Sequence, residues 1–340
     1  MSKLTRLRSG ERGWATYMSD RAALIDRFLA ESVWASWQAI PMTGDASGRR
    51  YARLIKNGRS VILMDAPPEN GEDTKPFAMI AKWLCSVGLC APDILAHDPD
   101  LGVMVLTDLG ADDFARWLLR HPGDDAQLYT AAVDVLVHLC RQTADLPLSR
   151  MTPQVAADMV AITGEFYAAA DVADLMTAVA GHFTDHAPTP DTLALRDFHA
   201  ENLIWRPGEA GLARVGLLDF QDAFLAPAGY DLASLLRDVR RDVDTGLAAQ
   251  MIDHYIEKSG ADAAFRTQLA CLGAQRNLRI LGVFARLART RGKPQYIDMI
   301  PRVWDNLMRD LDHPALARLR TATLDCLPAP DADLLQRLRA

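Results

Sequence analysis

Cysteine is scarce and unpaired in this chain: Cys85, Cys90, Cys140, Cys271 and Cys326 are the five among 340 residues, with no Cys-x-x-Cys and no histidine at metal-ligand spacing. An odd, scattered set argues against a disulfide framework and a structural zinc site, and for thiols kept in a reducing compartment. Basic charge is short as well. With 37 Lys+Arg against 44 Asp+Glu and a net charge of −7, the chain lacks the surface that nucleic-acid phosphates or anionic lipid demand. No run approaches about 18 uncharged apolar residues, so no span of a bilayer is expected. The opening stretch, MSKLTRLRSGERGWATYMSD, has no apolar core of about 7 to 15 residues and is not read as a secretory leader. Internal repeats and low-complexity tracts are also missing. The expectation is a cytoplasmic protein with no nucleic-acid, membrane or obligate protein partner.

What is present is an ordinary globular composition, 49% hydrophobic and 24% charged, long enough for two domains. Residues 1–17 show no periodicity and read as a loose N-terminal extension. From about residue 37 the pattern is strand-like. Residues 51–55 and 60–64 flank Lys56-Asn57-Gly58-Arg59, a strong signal for a two-residue hairpin. A helix is expected over 76–87 and two short strands over 94–97 and 103–107. Beyond Asp108 the composition turns helical: 112–120, 126–142, a long stretch over 153–186, then 231–243, 246–258, 262–290 and 295–311. A second strand cluster, 192–195, 202–205 and 215–220, interrupts it. The boundary is placed between an N-lobe of residues 18–107 and a C-lobe of residues 108–340.

The chemistry concentrates in Leu195-Arg196-Asp197-Phe198-His199-Ala200-Glu201-Asn202 and in Leu217-Leu218-Asp219-Phe220-Gln221-Asp222. The turn cluster Arg206-Pro207-Gly208-Glu209-Ala210-Gly211 sends the strand after Asn202 out and back to Asp219. Asn202 and Asp219 should therefore meet at one end of a hairpin, beside the loop that holds Asp197. Two carboxylates and a carboxamide oxygen are hard donors, suited to Mg²⁺ shared with phosphate.

Asp-x-His-x-x-Asn followed by apolar-apolar-Asp-Phe resembles the motifs of the aminoglycoside phosphotransferase superfamily, relatives of protein kinases. The resemblance implies a bilobal, protein-kinase-like α+β fold with a small strand-rich N-lobe and a large helical C-lobe, using ATP and Mg²⁺. It implies that Asp197 is the catalytic aspartate, that Asn202 and Asp219 bind the metal, and that Asp231 ties the catalytic loop to the helix after it. Four further phrases, Gly44-Asp45-Ala46-Ser47-Gly48-Arg49-Arg50-Tyr51, Met64-Asp65-Ala66-Pro67-Pro68, Leu217 to Ala223 and Gly282-Val283-Phe284-Ala285-Arg286-Leu287, are similar to bacterial cell-wall-recycling sugar kinases. Those enzymes phosphorylate N-acetylmuramate and N-acetylglucosamine at the anomeric hydroxyl, and that reaction is the function the resemblance implies. Adenine is expected against Thr107, Asp108 and Leu109.

Two departures stand out. Leu195 occupies a position that is usually histidine. The third strand, Val61-Ile62-Leu63-Met64-Asp65, has no lysine to reach the donor's phosphates, so Gly44, Asp45, Ala46, Ser47 and Gly48 with Arg49 or Arg50 are expected to meet that charge. On the acceptor side, His199 either supports the loop or touches substrate. Gln221 and Asp222 lie within acceptor reach, although Asp222 could equally cap a helix. Arg276, Arg279, Arg286, Arg289, Arg291 and Lys293 recur at helical spacing, by default a solvated face, with Arg276 as a candidate substrate contact. From Leu232 onward 17 Lys+Arg stand against 13 Asp+Glu, and before it 20 against 31. That balance suits an acidic or neutral sugar better than a polycationic aminoglycoside. An antibiotic-modifying phosphotransferase, a nucleotide-binding pseudokinase and a metal-dependent hydrolase are the rival readings.

Overall fold

A two-residue turn starts the sheet. Asn57 and Gly58 both take positive φ, 51° and 73°, the pairing that matches the right-handed twist of the strands they join. The computed structural model describes residues 21–42 and 48–339; the expectations for residues 1–17 and for Gly44 to Ser47 lie outside them. The chain divides into two compact units, one of residues 1–85 and 91–109, the other of 86–90 and 110–340.

The first unit is a five-stranded antiparallel sheet in the order β1-β2-β3-β5-β4. Its strands are β1 Gln38–Pro41, β2 Arg50–Lys56, β3 Arg59–Asp65, β4 Ile94–Asp98 and β5 Val103–Thr107. Leu54, Val61, Leu63, Val103 and Val105 form its buried core, against which Ile25, Phe28 and Leu29 of helix α1 (21–30) pack with Trp34 and Trp37. Along β3, Val61 and Leu63 face this core, and from Leu63 onward both faces of the strand are buried. An ion pair ties α1 to the sheet: Arg21 is 3% exposed and donates to Asp65 Oδ1 through Nε at 2.9 Å and Nη2 at 2.7 Å. Helix α2, Lys75–Ser86, buries Phe77, Ile80, Ala81 and Leu84.

The second unit is helical, with α3 Phe114–Arg120, α4 Asp125–Leu139, α5 Pro153–Asp158, α6 Ala161–Thr163, α7 Ala173–His186, α8 Tyr230–Leu236, α9 Thr245–Ser259, α10 Phe265–Arg291, α11 Ile300–Leu311, α12 Ala317–Cys326 and α13 Ala332–Arg339. Two short antiparallel hairpins cross it: β6 Thr192–Ala194 with β9 Phe224–Ala226, and β7 Leu203–Trp205 with β8 Val215–Leu217. Helix α10, with 27 residues and a length of about 40 Å, is the axis on which α6, α8 and α11 pack. No helix among the described residues is long and apolar enough to cross a membrane, and none of the five cysteines, all of them described, forms a disulfide.

Several expected elements change. The long stretch over 153–186 breaks into α5, α6 and a π turn at Gly164–Ala168 that ends on Ala169 in the left-handed region, φ 52°. Asp171 then caps the next helix by accepting from Ala173 N at 3.0 Å. The strand expected over 215–220 stops at Leu217, because Asp219 turns the chain with φ 56°. Residues 231–243 form helix only to Leu236, and 294–299 is a 3₁₀ turn behind Pro294. The three-residue β9 carries too little pattern to be read from sequence.

Gly282 explains part of one motif. A Cβ there would lie 2.6 Å from Ile162 C, Ile162 O and Thr163 N, all backbone, so α10 and α6 approach as closely as a hydrogen at this position allows. The helix-propensity gain of Gly282→Ala, about 1 kcal/mol, is then outweighed by an overpacking cost of about 1–3 kcal/mol. The denaturant midpoint of that variant should fall with the slope unchanged; a midpoint equal to or above wild type contradicts this packing.

Candidate active site

The β7–β8 hairpin does what the turn cluster between its strands demands. Leu203 pairs with Leu217, and one step further Leu218 N donates to Asn202 O at 3.0 Å. Asn202 and Asp219 therefore emerge at the same end. Their side chains meet, with Asn202 Nδ2 3.4 Å from Asp219 Oδ2, while Gln221 Nε2 donates to Asp219 Oδ1 at 2.8 Å.

The loop that brings Asp197 beside them is held from two sides. Asp231, at the first turn of α8 and 4% exposed, accepts from Leu195 N at 2.5 Å and Arg196 N at 3.0 Å. Arg276 of α10 donates to Arg196 O at 2.9 Å and to Ser234 Oγ at 2.7 Å, with its guanidinium carbon 4.9 Å from the Tyr230 ring centre. Both peptide faces of Arg196 are thus fixed, and Arg196 itself is bent to φ 78°, a conformation costly for any residue with a Cβ. Burial raises the Asp231 carboxyl to about 6, against the two backbone hydrogen bonds and Arg276, which favour its charged form. Asp197 ends half-buried. Its backbone carbonyl takes Asn202 Nδ2 at 2.9 Å, and its carboxylate receives no hydrogen bond from a described residue.

His199 sits beneath Asn202, 7% exposed. Asn202 Nδ2 is 3.2 Å from His199 Nε2, and the buried Nδ1 has no hydrogen-bond partner among the described residues. Burial, then Arg240 and Arg276, pushes the imidazole down to about 3. It is a neutral support for the carboxamide and stays so across the physiological range.

The donor set fits a magnesium ion shared with phosphate. With the Asn202 amide nitrogen directed to Asp197 O and His199 Nε2, its Oδ1 has no partner among the described residues. Together with the Asp219 carboxylate it offers hard oxygens only. Among the described residues no three His, Cys, Asp or Glu side chains converge to hold a metal by themselves.

The remaining expected residues divide between the units. In the helical unit Gln221 belongs to the constellation, whereas Asp222 is exposed, 4.0 Å from Arg196 Nη1. Arg276 is a correction to the solvated stripe: it is buried, because α10 runs through the interior, and it braces the loop through Arg196 O. Arg286, Arg289 and Arg291 are exposed as the stripe implied. In the strand-rich unit Arg49 Nε meets Glu72 Oε2 at 2.9 Å, with Gly48 N donating to Glu72 Oε1 at 3.0 Å. Arg50 Nη2 lies 2.8 Å from Asp65 Oδ2. Asp108 takes a two-pronged contact from Arg53, 2.7 and 3.2 Å. Thr107 Oγ1 accepts from Asp93 N, and Leu109 closes the unit. Ser234 went unread in the sequence, although its place three residues after Asp231 on one helix face was a usable signal.

A strand-rich unit followed by a helical one, with a carboxylate loop, an amide and a second carboxylate converging, defines a protein-kinase-like phosphotransferase. Residues 38–266 match the family model described as "Phosphotransferase enzyme family", and the chain belongs to that family. It is an enzyme that transfers phosphate. It is 36% identical to the N-acetylmuramate/N-acetylglucosamine kinase of Caulobacter vibrioides over 90% of this chain and 96% of the relative. Its identity to the kinase of the same name from Pseudomonas aeruginosa is 30% over 83% and 86%. Among solved structures, a choline/ethanolamine kinase family protein from Mesorhizobium loti aligns with a TM-score of 0.62 at 16% identity, covering 89% of this chain and 98% of its own. Spectinomycin phosphotransferase in complex with ADP and spectinomycin aligns at 0.59 and 12%, covering 89% and 97%.

The burial of a neutral His199 ring has a spectroscopic consequence. The Cε1 proton of His199 should keep one chemical shift from pH 5 to 9. A sigmoidal shift with a midpoint near 6.5 contradicts the buried, neutral ring.

Proposed function

We propose that the protein transfers the γ-phosphoryl group of ATP to the anomeric C1 hydroxyl of N-acetylmuramate and N-acetylglucosamine, a cytoplasmic step in the recycling of cell-wall sugars. The observation that carries this reading is the full-length likeness to kinases named for those two sugars, joined to a carboxylate, Asp197, held ready beside Asn202 and Asp219.

Asp197 orients the C1 hydroxyl and accepts its proton as the O1–Pγ bond forms and the bond from Pγ to the bridging oxygen breaks, releasing ADP. An anomeric hydroxyl is more acidic than an ordinary alcohol, so little is asked of the base. Asn202 Oδ1 and Asp219 would hold Mg²⁺, which neutralises charge on the phosphates. Gln221 orients the Asp219 carboxylate, and His199 fixes which end of the Asn202 amide faces the ion. In the strand-rich unit, residues Gly44 to Gly48 with Arg49 or Arg50 are the donor's phosphate groups of contact, in place of the lysine that β3 lacks. Thr107, Asp108 and Leu109 are the base's contacts.

Incubation with Mg²⁺-ATP and N-acetylmuramate, following ADP and reducing ends together, tests this. Phosphorylation at C1 removes one reducing end per ADP, and Asp197→Asn should lower turnover by about 10²- to 10⁴-fold, roughly 3–5 kcal/mol of barrier. ADP formed without loss of reducing ends contradicts the site of transfer. Wild-type turnover in the variant contradicts the role of Asp197.

A further inference from the structure

Arg276 and Arg279 lie one turn apart on α10 and have opposite circumstances. The Arg276 guanidinium is fully engaged by Arg196 O, Ser234 Oγ and the Tyr230 ring. Arg279 is half-buried and makes no hydrogen bond or ion pair with any described residue. Its electrostatic neighbours are Tyr230, Arg196, Arg276 and Asp197. Arg276 and Arg279 both feel the charge of Asp197, and Arg276 is tied to the backbone of Arg196, the residue before Asp197. Burial lowers the Arg279 pKa; Tyr230 and Asp197 act against that, and Arg196 and Arg276 reinforce it. A sheltered cation with no hydrogen bond or ion pair to a described residue, near two others, is less favourable until a further anion arrives.

Arg196 adds an independent observation. It holds a long charged side chain at φ 78°, where glycine would relieve the backbone. Its nearest acidic partner, Asp222, is 4.0 Å away and largely exposed. The side chain is kept where the backbone does not want one.

Which anion belongs there follows from where the cations stand. They gather at Asp197, the acceptor's end of the site. The two sugars of the proposed reaction share the same C1 and differ by one group: N-acetylmuramate carries a lactyl ether, and so a carboxylate, on O3. Arginine's planar fork matches a carboxylate through two parallel hydrogen bonds. Because Arg279 is only half-buried, water can solvate it when a neutral sugar is bound, so one site can serve both.

We propose that Arg279, assisted by Arg196, receives the lactyl carboxylate of N-acetylmuramate and sets the preference between that sugar and N-acetylglucosamine. The inference rests on the reading of the reaction given above. Its test is the ratio of kcat/KM for N-acetylmuramate to kcat/KM for N-acetylglucosamine in wild type, Arg279→Met and Arg279→Lys. A ratio cancels any loss of folded protein. It should fall by about 10- to 100-fold in Arg279→Met, chiefly through KM for N-acetylmuramate, and by less in Arg279→Lys, which keeps the charge and loses the fork. An unchanged ratio overturns the assignment, as does an equal loss for both sugars, which assigns Arg279 to the donor's phosphates or to the loop. Wild-type protein that phosphorylates neither sugar overturns the underlying reaction instead, a failure visible before any variant is made.

Discussion

The carboxylate of Asp231 reaches out of the first turn of α8 and takes the N–H groups of Leu195 and Arg196 at 2.5 and 3.0 Å; the position of the Asp197 loop follows from that contact. Asp197 is the next residue along the chain, and its carbonyl orients the Asn202 amide, whose own backbone is tied to the β7–β8 hairpin. A loop without regular structure has no ladder to fix it, and buried N–H groups left unpaired cost about 1–3 kcal/mol each. One buried acid answers both demands. Arg276 supplies the opposing contact on Arg196 O, so the strained peptide is clamped between a helix that accepts and a helix that donates.

The same arrangement accounts for the electrostatics of the helical unit. Asp231 is costly to bury, and its carboxyl is raised to about 6, yet it is tolerated because Arg276 stands above it and two peptide dipoles point at it. His199 is driven the other way by burial and by Arg240 and Arg276, which keeps the ring neutral. Opposite shifts in neighbouring groups give each one a fixed role: a neutral support, an anionic anchor and, between them, a carboxylate with open lone pairs. Burial here serves positioning.

Much of this was legible in the sequence, for identifiable reasons. The Asn57-Gly58 turn, the hairpin spacing between Asn202 and Asp219 and the Asp-x-His-x-x-Asn phrase each encode a local geometry, and the chain adopts it. The fold class followed from the order of strand and helix patterns and from family resemblance. Other features depend on packing that no local pattern carries. The basic stripe of α10 is a single spacing in sequence, yet its first arginine is interior and its later ones are exposed, because the helix enters the core at one end and leaves it at the other. Likewise the break of 153–186 into pieces is decided by a π turn and an aspartate cap rather than by hydrophobic period. The absence of a lysine on β3 was plain from the sequence; that Arg49 faces Glu72 and Arg50 faces Asp65 required the strand register.

Amide hydrogen exchange at Leu195 and Arg196, compared between wild type and Asp231→Ala, addresses the anchoring contact directly. If Asp231 holds the loop, both amides are protected in the wild type and exchange about 10²-fold faster or more in the variant, while amides in the middle of α10 keep their protection. Equal protection of Leu195 and Arg196 in the two proteins would show that the loop is held by something else, and the account of the site would fail with it.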